Sequence, residues 1–197
     1  MLAKAKVFVN GIEKVELNVL NRLQKLNPQL TYHCKEHTLD VLKQSIRIAH
    51  QEGIEDHTDL FLLKIAALYH DTGFLETYAL HEQKSCELFL NDADQYSLNS
   101  EQKDIILNLI MSTQIPQNPN TLLEKIICDA DLDYLGRPDF FSIGESLRKE
   151  FLQFNVVDND DEWNKLQLRF LQKHNYHTSS SQKLREPTKQ LNYSKLL

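Results

Sequence analysis

Apolar residues recur at three- and four-residue intervals along most of this chain, which is the spacing of one face of an α-helix. In the first such segment, residues 12–26, Glu, Lys and Arg separate the apolar positions, and Asn27-Pro28 ends the segment. The same pattern returns in seven later segments, which are residues 32–51, 58–69, 80–90, 99–111, 122–135, 140–154 and 162–174. Each segment is long enough to predict a helix of three or more turns.

The last segment, residues 178–197, has a helical middle that Pro187 is expected to kink or interrupt. No stretch alternates apolar and polar residues as a strand does, and no internal repeat is present. The sequence therefore predicts an all-α fold, a bundle of about eight helices. At 197 residues, we expect one domain spanning residues 1–197.

The composition agrees with a soluble helical protein. Five glycines and five prolines imply few turns, and a net charge of −6 argues against a nucleic-acid partner. The three cysteines, Cys34, Cys86 and Cys128, are too widely spaced for a disulfide framework, which indicates a cytoplasmic protein. The apolar run in residues 1–11 is too short and too interrupted by Lys for a signal peptide, and no stretch predicts contact with a membrane.

Unusual chemistry appears where the third apolar segment ends, in the sequence Ala-Ala-Leu-Tyr-His-Asp-Thr-Gly at residues 66–73. His70 falls on the apolar stripe of its helix, and Asp71 follows it directly. Burying this pair costs free energy unless each side chain has a partner. A divalent cation is such a partner, because imidazole nitrogens and carboxylate oxygens are ligands that borderline metals accept.

Two other segments offer further ligands. Upstream, His33 and His37 are four residues apart and so share one helix face. Downstream, Asp129, Asp131 and Asp133 lie in one predicted helix, where each residue turns by about 100°. Asp131 shares its face with apolar residues and is therefore the expected ligand, whereas Asp129 and Asp133 are expected to support the ligands or to lie on the surface.

The ordered set of His37, His70, Asp71 and Asp131 resembles the HD superfamily of metal-dependent phosphohydrolases, whose pattern is H…HD…D on an all-helical bundle. The resemblance covers a common core at about residues 32–149 and is strongest to small single-domain bacterial members. It implies that these four residues bind one or two divalent ions, with Mn, Mg, Fe, Ni and Zn as the candidates.

The resemblance also implies a catalytic role for two residues. His33 falls where related cyclic-nucleotide phosphodiesterases carry a proton-donating His, in a Tyr-His-x-x-x-His motif, and Asp71 is expected to bridge two ions or to orient the attacking water. Other features differ from better-known members. Cys34 replaces the Asn that often follows this Tyr-His pair, no Gly-Tyr-Pro signature is present, and the chain is shorter than a phosphodiesterase catalytic domain.

Four further residues are weaker candidates for substrate binding. His81 opens a predicted helix just after the His-Asp pair, where an anion is favoured. Thr113 and Gln114 precede a proline-containing loop, and Arg137 follows the Asp131 helix and is a candidate phosphate contact. The alternatives are a surface His, ordinary turn residues and a structural Arg. Four other histidines are not expected to be ligands, namely His50, His57, His174 and His177.

The function that the resemblance implies is hydrolysis of a phosphoester bond by a metal-activated water, with a nucleotide or another small phosphorylated molecule as the substrate. His33 is expected to protonate the leaving oxygen. Two alternatives remain. One is a non-catalytic sensor that binds a nucleotide or a metal, and the other is a di-iron oxygenase with extra ligands from His81, Glu82 and Asp129. A homodimer is left open.

Overall fold

A computed structural model describes the backbone of residues 2–197 and the side chains from Gly11 onward. The sequence analysis predicted that residues 1–11 are not a signal peptide. The side chains up to Asn10 lie outside the described part of the structure, so this stays a prediction. In the part of the chain that is described, Cys34, Cys86 and Cys128 are all free thiols, as expected.

The described residues form nine α-helices and three short 3-10 helices, with no strand among them, which confirms the all-α prediction. The helices are α1 (Leu2–Leu23), α2 (Lys35–Gln51), α3 (His57–Tyr69), α4 (His81–Ala93), α5 (Ser100–Ser112), α6 (Leu122–Asp131), α7 (Phe140–Gln153), α8 (Asp160–Lys173) and α9 (Ser179–Ser194). The 3-10 helices are Thr72–Leu75, Asp94–Tyr96 and Asp133–Gly136. None of these described helices is long and apolar enough to cross a membrane.

Helix α3 is the centre of the larger apolar core. Eight of its thirteen residues are buried, because apolar side chains cover nearly its whole circumference. It packs against α1, α2 and α5, and the apolar residues of α6 join the same core. A second apolar cluster combines residues of α7 and α8 with Tyr32, Leu132 and Leu135. The ends of α2, α3 and α6 lie close to both clusters.

Helix α2 begins at Lys35 instead of residue 32, so His33 precedes the helix and the prediction that it shares a helix face with His37 is wrong. Two further elements differ from the prediction. Helix α6 ends at Asp131 instead of continuing to Leu135, and a 3-10 helix at Asp133–Gly136 follows it. The interruption expected at Pro187 is wrong, since α9 runs through this residue. The helix is held by tertiary contacts after the proline: the side chain of Asn192 donates to the carbonyl oxygens of Leu135 and Arg137, at 3.0 and 3.1 Å.

The expectation that Asp129 and Asp133 could lie on the surface is also wrong, because both are 0% exposed. Asp129 accepts hydrogen bonds from the backbone N–H and hydroxyl of Thr178, at 2.8 and 2.6 Å, just before α9 begins. Asp133 accepts from Arg47 of α2 at 2.7 Å and from Arg185 of α9 at 2.9 Å. These two carboxylates therefore attach α9 to the elements that surround Asp131.

Candidate metal centre

Three helix ends bring four polar side chains together. His37 is the third residue of α2, His70 directly follows α3 with Asp71 next to it, and Asp131 is the last residue of α6. Chain turns at these ends allow side chains from three directions to meet. Gly73 permits the close approach of the following segment, since a Cβ atom there would lie 1.9 Å from the carbonyl oxygen of His81.

The donor atoms of this cluster lie close to one another. His37 Nε2 is 3.1 Å from Asp131 Oδ1, 3.3 Å from Asp71 Oδ2 and 3.4 Å from His70 Nε2. His70 Nε2 is 3.1 Å from Asp71 Oδ2 and 3.7 Å from Asp131 Oδ1. The atoms of His37, His70 and Asp131 all fall within 4.8 Å of one another, and Asp71 adds an oxygen that contacts both imidazoles.

These separations fit the coordination sphere of a divalent cation. When ligand atoms lie about 2.1 Å from an ion, neighbouring donors are about 3.0 Å apart in an octahedron and about 3.4 Å apart in a tetrahedron. The contacts of 3.1–3.7 Å within the cluster begin close to the octahedral value and include the tetrahedral one. In addition, Asp71 Oδ2 is buried without a hydrogen-bond partner among the described residues, and a cation would satisfy it.

The tautomer of His70 is also suited to a metal ion. His70 Nδ1 lies 2.8 Å from the carbonyl oxygen of Ala67 and therefore carries the proton that it donates there. The lone pair is then on Nε2, which is the atom facing His37 and the carboxylates. A backbone carbonyl that holds the far nitrogen in this way orients a metal-binding imidazole and fixes its tautomer.

The carboxylates change the protonation of the cluster strongly. Burial alone would lower the pKa of His37, but the adjacent carboxylates of Asp131 and Asp71 outweigh burial and raise this pKa to about 10. Burial likewise opposes charge on Asp71, yet the adjacent imidazoles of His70 and His37 hold the pKa of Asp71 well below its usual value. Without a cation, a proton on His37 supplies the positive charge that the carboxylates need.

His81 lies beside the second oxygen of Asp71, and Glu82 lies beside His81. His81 Nε2 is 3.3 Å from Asp71 Oδ1 and 3.4 Å from Glu82 Oε1. The Phe74 ring stacks on two imidazoles, with its centroid 4.2 Å from that of His33 and 3.9 Å from that of His81. Asp71 therefore connects the His37–His70 pair to a second imidazole–carboxylate pair at the start of α4.

The sequence analysis missed Glu150, which is 0% exposed on α7. Its Oε1 atom forms a short contact with His33 Nδ1 and accepts a hydrogen bond from the Tyr78 hydroxyl at 3.2 Å. Its Oε2 atom accepts from the backbone N–H groups of Tyr32 and His33, at 2.8 and 3.0 Å. Burial acts to raise the pKa of Glu150, but His33 and these N–H groups have the larger effect, so the pKa is lowered below its usual value. The carboxylate is therefore ionised and fixes the orientation of His33.

A cavity of about 320 Å³ opens next to the four-residue cluster. His33, Asp71, His81 and Asp131 form its polar end, and Thr113 is also part of its wall. Its other walls are mostly apolar side chains of α7 and α8, including Leu147, Phe151, Trp163, Leu166, Phe170 and Leu171. Its volume and its mixed lining are those of a site for a small molecule.

Gln114 and Arg137 are placed differently from the other weak candidates. Gln114 is half-buried but does not line this cavity. Arg137 lines a separate cavity of about 260 Å³ on the side of His37 and Asp131. Its guanidinium already donates to Asp40 at 2.5 Å and to Asp139 at 3.0 and 3.1 Å, which favours the structural role over the phosphate contact.

The remaining histidines lie away from the cluster. His50 and His57 are exposed. His174 and His177 line another cavity, between α8 and the segment that precedes α9.

The fold and this cluster define an all-α protein with a His/His/Asp set suited to a divalent metal ion. A family model described as "HD domain" matches residues 35–133, which is half of the chain. The chain therefore belongs to the HD-domain family, a superfamily of metal-dependent hydrolase type. The matched range contains all four clustered residues, whereas His33 and Glu150 lie outside it.

The fold is also similar to that of the Lin1889 protein from Listeria innocua, a crystal structure. The two structures align with a TM-score of 0.61 over 94% of this chain and 93% of that chain, at 20% sequence identity. This similarity extends beyond residues 35–133 to nearly all of both chains. A search of curated proteins finds no match.

Metal binding is expected to release protons. His37, with its pKa raised to about 10, carries a proton at neutral pH and must lose it before Nε2 can bind an ion. Apparent affinity for Zn²⁺ or Mn²⁺ should therefore rise by about tenfold per pH unit between about pH 6 and 8, at about one proton released per ion. Calorimetric titrations in buffers of different ionisation enthalpy measure both quantities. Affinity that is independent of pH, with no proton released, would contradict this assignment.

Proposed function

We propose that this protein is a metal-dependent phosphohydrolase that cleaves a phosphoester bond of a nucleotide or another small phosphorylated molecule. The observation that supports this most is the position of His33. This imidazole is anchored by Glu150 and lines the same cavity as Asp71 and Asp131. A set of side chains suited to binding a metal ion and an oriented proton-transfer group lie at one end of one cavity. These are the two parts that phosphoester hydrolysis requires.

In this proposal His37, His70, Asp71 and Asp131 hold the ion. A divalent cation bound there lowers the pKa of water and neutralises charge on phosphoryl oxygens. Asp71 has one oxygen beside the two imidazoles and the other beside His81, which suits it to orient the attacking water or to bridge two ions. The apolar walls of the cavity limit access of bulk water and strengthen these electrostatic interactions.

His33 is the proposed proton donor to the leaving oxygen. Its Nδ1 atom is engaged by Glu150, so Nε2 is the ring nitrogen that remains for exchange with a substrate. Glu150 is fixed by two backbone N–H groups and by Tyr78, and it does not have to move during the reaction. The stacked Phe74 ring further restrains the imidazole. Glu150 is thus a positioning residue that acts through His33.

The shape of the cavity supports a substrate with an apolar or planar part. A phosphoryl group beside Asp71 and Asp131 would leave the rest of the molecule between α7 and α8, where Phe151 and Trp163 lie. Their rings meet edge to face at 5.7 Å between centroids. Aromatic side chains of this kind can stack on a nucleobase, which is why a nucleotide is the proposed substrate class.

A di-iron oxygenase is the second candidate, and the contacts of His81 with Asp71 and with Glu82 are the observation that favours it. Asp129, the third extra ligand considered, is committed to Thr178 and lies outside the cavity lining. The His33–Glu150 pair is suited to protonating a leaving group, and this supports phosphoester hydrolysis as the preferred proposal. It also favours catalysis over a sensor without turnover.

The activity is tested with protein loaded separately with Mn²⁺, Mg²⁺, Fe²⁺, Ni²⁺ and Zn²⁺ and assayed for phosphate release from a panel of nucleotides and simple phosphoesters. We expect turnover with at least one ion, abolished by chelation. His70→Ala should lower kcat/KM by at least about 10³-fold, because the ion loses an imidazole that anchors it. His50→Ala, which removes an exposed imidazole, should leave the rate unchanged.

Circular dichroism of His70→Ala must show retained helix content for the comparison to hold. Absence of turnover with every ion and every substrate would refute the hydrolase assignment. Iron in the purified protein, with a visible absorption band and oxygen consumption, would favour the oxygenase instead.

The role of Glu150 is tested with Glu150→Gln, with Glu145→Gln as the control, a half-buried residue of the same helix that pairs with Arg148 and does not line the cavity. The glutamine amide donates a hydrogen bond to Nδ1 of His33, so Nδ1 can no longer carry a proton and the imidazole becomes a weaker proton donor. This should lower kcat by about 10²-fold or more with KM little changed. The loss should be large for alkyl phosphoesters and small for 4-nitrophenyl esters, whose leaving group needs no proton. Equal losses on both substrates would show that Glu150 is only structural.

A further inference from the structure

A second and larger cavity, of about 480 Å³, lies between α8, the loop at residues 115–117 and the segment that leads into α9. Its volume is within the range of small-molecule sites. Apolar side chains form part of its wall, among them Pro116, Leu132 and Phe170. None of the four clustered metal-site residues and neither His33 nor Glu150 lines it, so it is distinct from the polar end of the cavity described above.

The charge of this cavity is opposite to that of the chain. The protein has a net charge of −6, yet Arg169 and Lys173 both line the cavity, and no acidic residue is among its described lining residues. Both cations belong to α8, one turn apart, and both are exposed. Neither has a carboxylate partner in the described part of the chain, whereas most other Arg side chains there form ion pairs. They are available to an anion.

His174 provides an independent observation. Its Nδ1 atom lies 3.4 Å from Nζ of Lys189, a side chain that is 1% exposed. An ammonium group can only donate, so Nδ1 is the acceptor and the proton of the neutral imidazole must be on Nε2. Burial and the charge of Lys189 lower the pKa of His174 to about 3, which keeps the ring neutral.

His174 Nε2–H is consequently a donor, and it has no acceptor. The atom is buried and lacks a hydrogen-bond partner among the described residues, while the His174 side chain lines the cavity, so an acceptor from a ligand must displace part of the cavity wall to reach it. The ring cannot turn freely to find one, because it is stacked on Phe170 at 6.0 Å and meets Tyr176 edge to face at 4.7 Å between centroids. A buried N–H without an acceptor is uncommon in proteins and is satisfied when a ligand supplies an oxygen.

We propose that this cavity is a second ligand site, which binds a small organic anion through Arg169, Lys173 and the Nε2–H of His174 and holds the apolar body of the anion against Phe170 and Pro116. The ligand class is a phosphate, sulfonate or carboxylate attached to an aromatic or aliphatic group. Cations at the rim attract such an ion, a fixed neutral donor orients it, and apolar walls bind the rest.

The site has a direct structural connection to the metal centre. Leu132 and Phe170 line both cavities, and Leu132 directly follows Asp131. A ligand in the second cavity therefore packs against the residue that follows a proposed metal ligand. The proposal itself does not depend on hydrolysis, because the polar groups that it invokes, Arg169, Lys173 and His174, have no role in the phosphohydrolase assignment.

The test uses isothermal titration of chelator-treated protein with naphthalene-2-sulfonate, an apolar anion that a phosphohydrolase does not cleave. The neutral comparator is naphthalene-2-methanol. We expect one saturable site per chain for the anion and at least about tenfold weaker binding of the alcohol, since the charge-assisted contacts are lost. Separate titrations with naphthyl phosphonate and naphthoate show which anionic group the site prefers.

Variants locate the site. The double substitution Arg169→Glu/Lys173→Glu should weaken binding of the sulfonate by at least about tenfold, whereas Lys165→Glu, an exposed residue of the same helix that does not line the cavity, should have less than about a twofold effect. His174→Phe keeps an aromatic ring against Phe170 but removes the donor, and a loss of about fivefold is expected. Thermal unfolding confirms that each variant is folded.

His70→Ala separates this proposal from the assignment of the metal centre, and it should bind the sulfonate like the unaltered protein. Three results would overturn the proposal: no saturable binding up to about 1 mM, binding that is insensitive to the double charge reversal, or binding that is lost in His70→Ala. The last result would show that the sulfonate occupies the metal cavity instead.

Discussion

Two imidazoles and two carboxylates are buried in one small volume between α2, α3 and α6. Removing these groups from water costs free energy, and the structure depends on how that cost is offset. His70 is 0% exposed and Asp71 is 6% exposed, so neither can rely on solvent. The carboxylates of Asp71 and Asp131 both lie beside Nε2 of His37 and Nε2 of His70, and their negative charges must be balanced by positive charge nearby. A proton on His37 supplies one charge, and a divalent cation supplies two while also satisfying the unpartnered oxygen of Asp71. The cluster is therefore best satisfied with an ion bound.

The surrounding fold holds these side chains where the ion requires them. Helix α3 is buried nearly all round, which fixes His70 at its end, and the Ala67 carbonyl fixes the tautomer. Asp129 and Asp133 flank Asp131 on both sides along the chain, and their contacts with α9 and α2 anchor the end of α6. Buried carboxylates outside the cluster thus serve its geometry without facing the cavity.

Periodicity was sufficient to predict the helices, whereas the meeting of the four clustered residues was implied by the resemblance to the HD superfamily, with helix faces in agreement. His70 continues an apolar stripe, and the helical rotation selects Asp131 over its two neighbours. The burial of those neighbours was not predictable, because residues 177–178 cover Asp129 and Arg185 of α9 binds Asp133, and the path of this distant segment cannot be read from the pattern. Pro187 suggested an interruption that tertiary contacts of α9 override.

Glu150 was beyond sequence reasoning for a related reason. It is separated from His33 by 117 residues and lies on a helix whose pattern is that of ordinary core packing, so only the packing of α7 against residues 32–33 reveals the pair. The same holds for Arg137, whose carboxylate partner Asp40 lies on α2, 97 residues away. Local periodicity predicts which face a side chain occupies, but not which distant side chain faces it.

The central claim is that one cation is held jointly by residues of three helices. Anomalous diffraction at several absorption edges, from a crystal of protein never exposed to chelator, tests it most directly. The account predicts a peak at about 2.0–2.3 Å from Nε2 of His37 and of His70, with Asp71 and Asp131 oxygens completing the set. No peak at this position with any ion supplied, or an ion held by other residues, would contradict it.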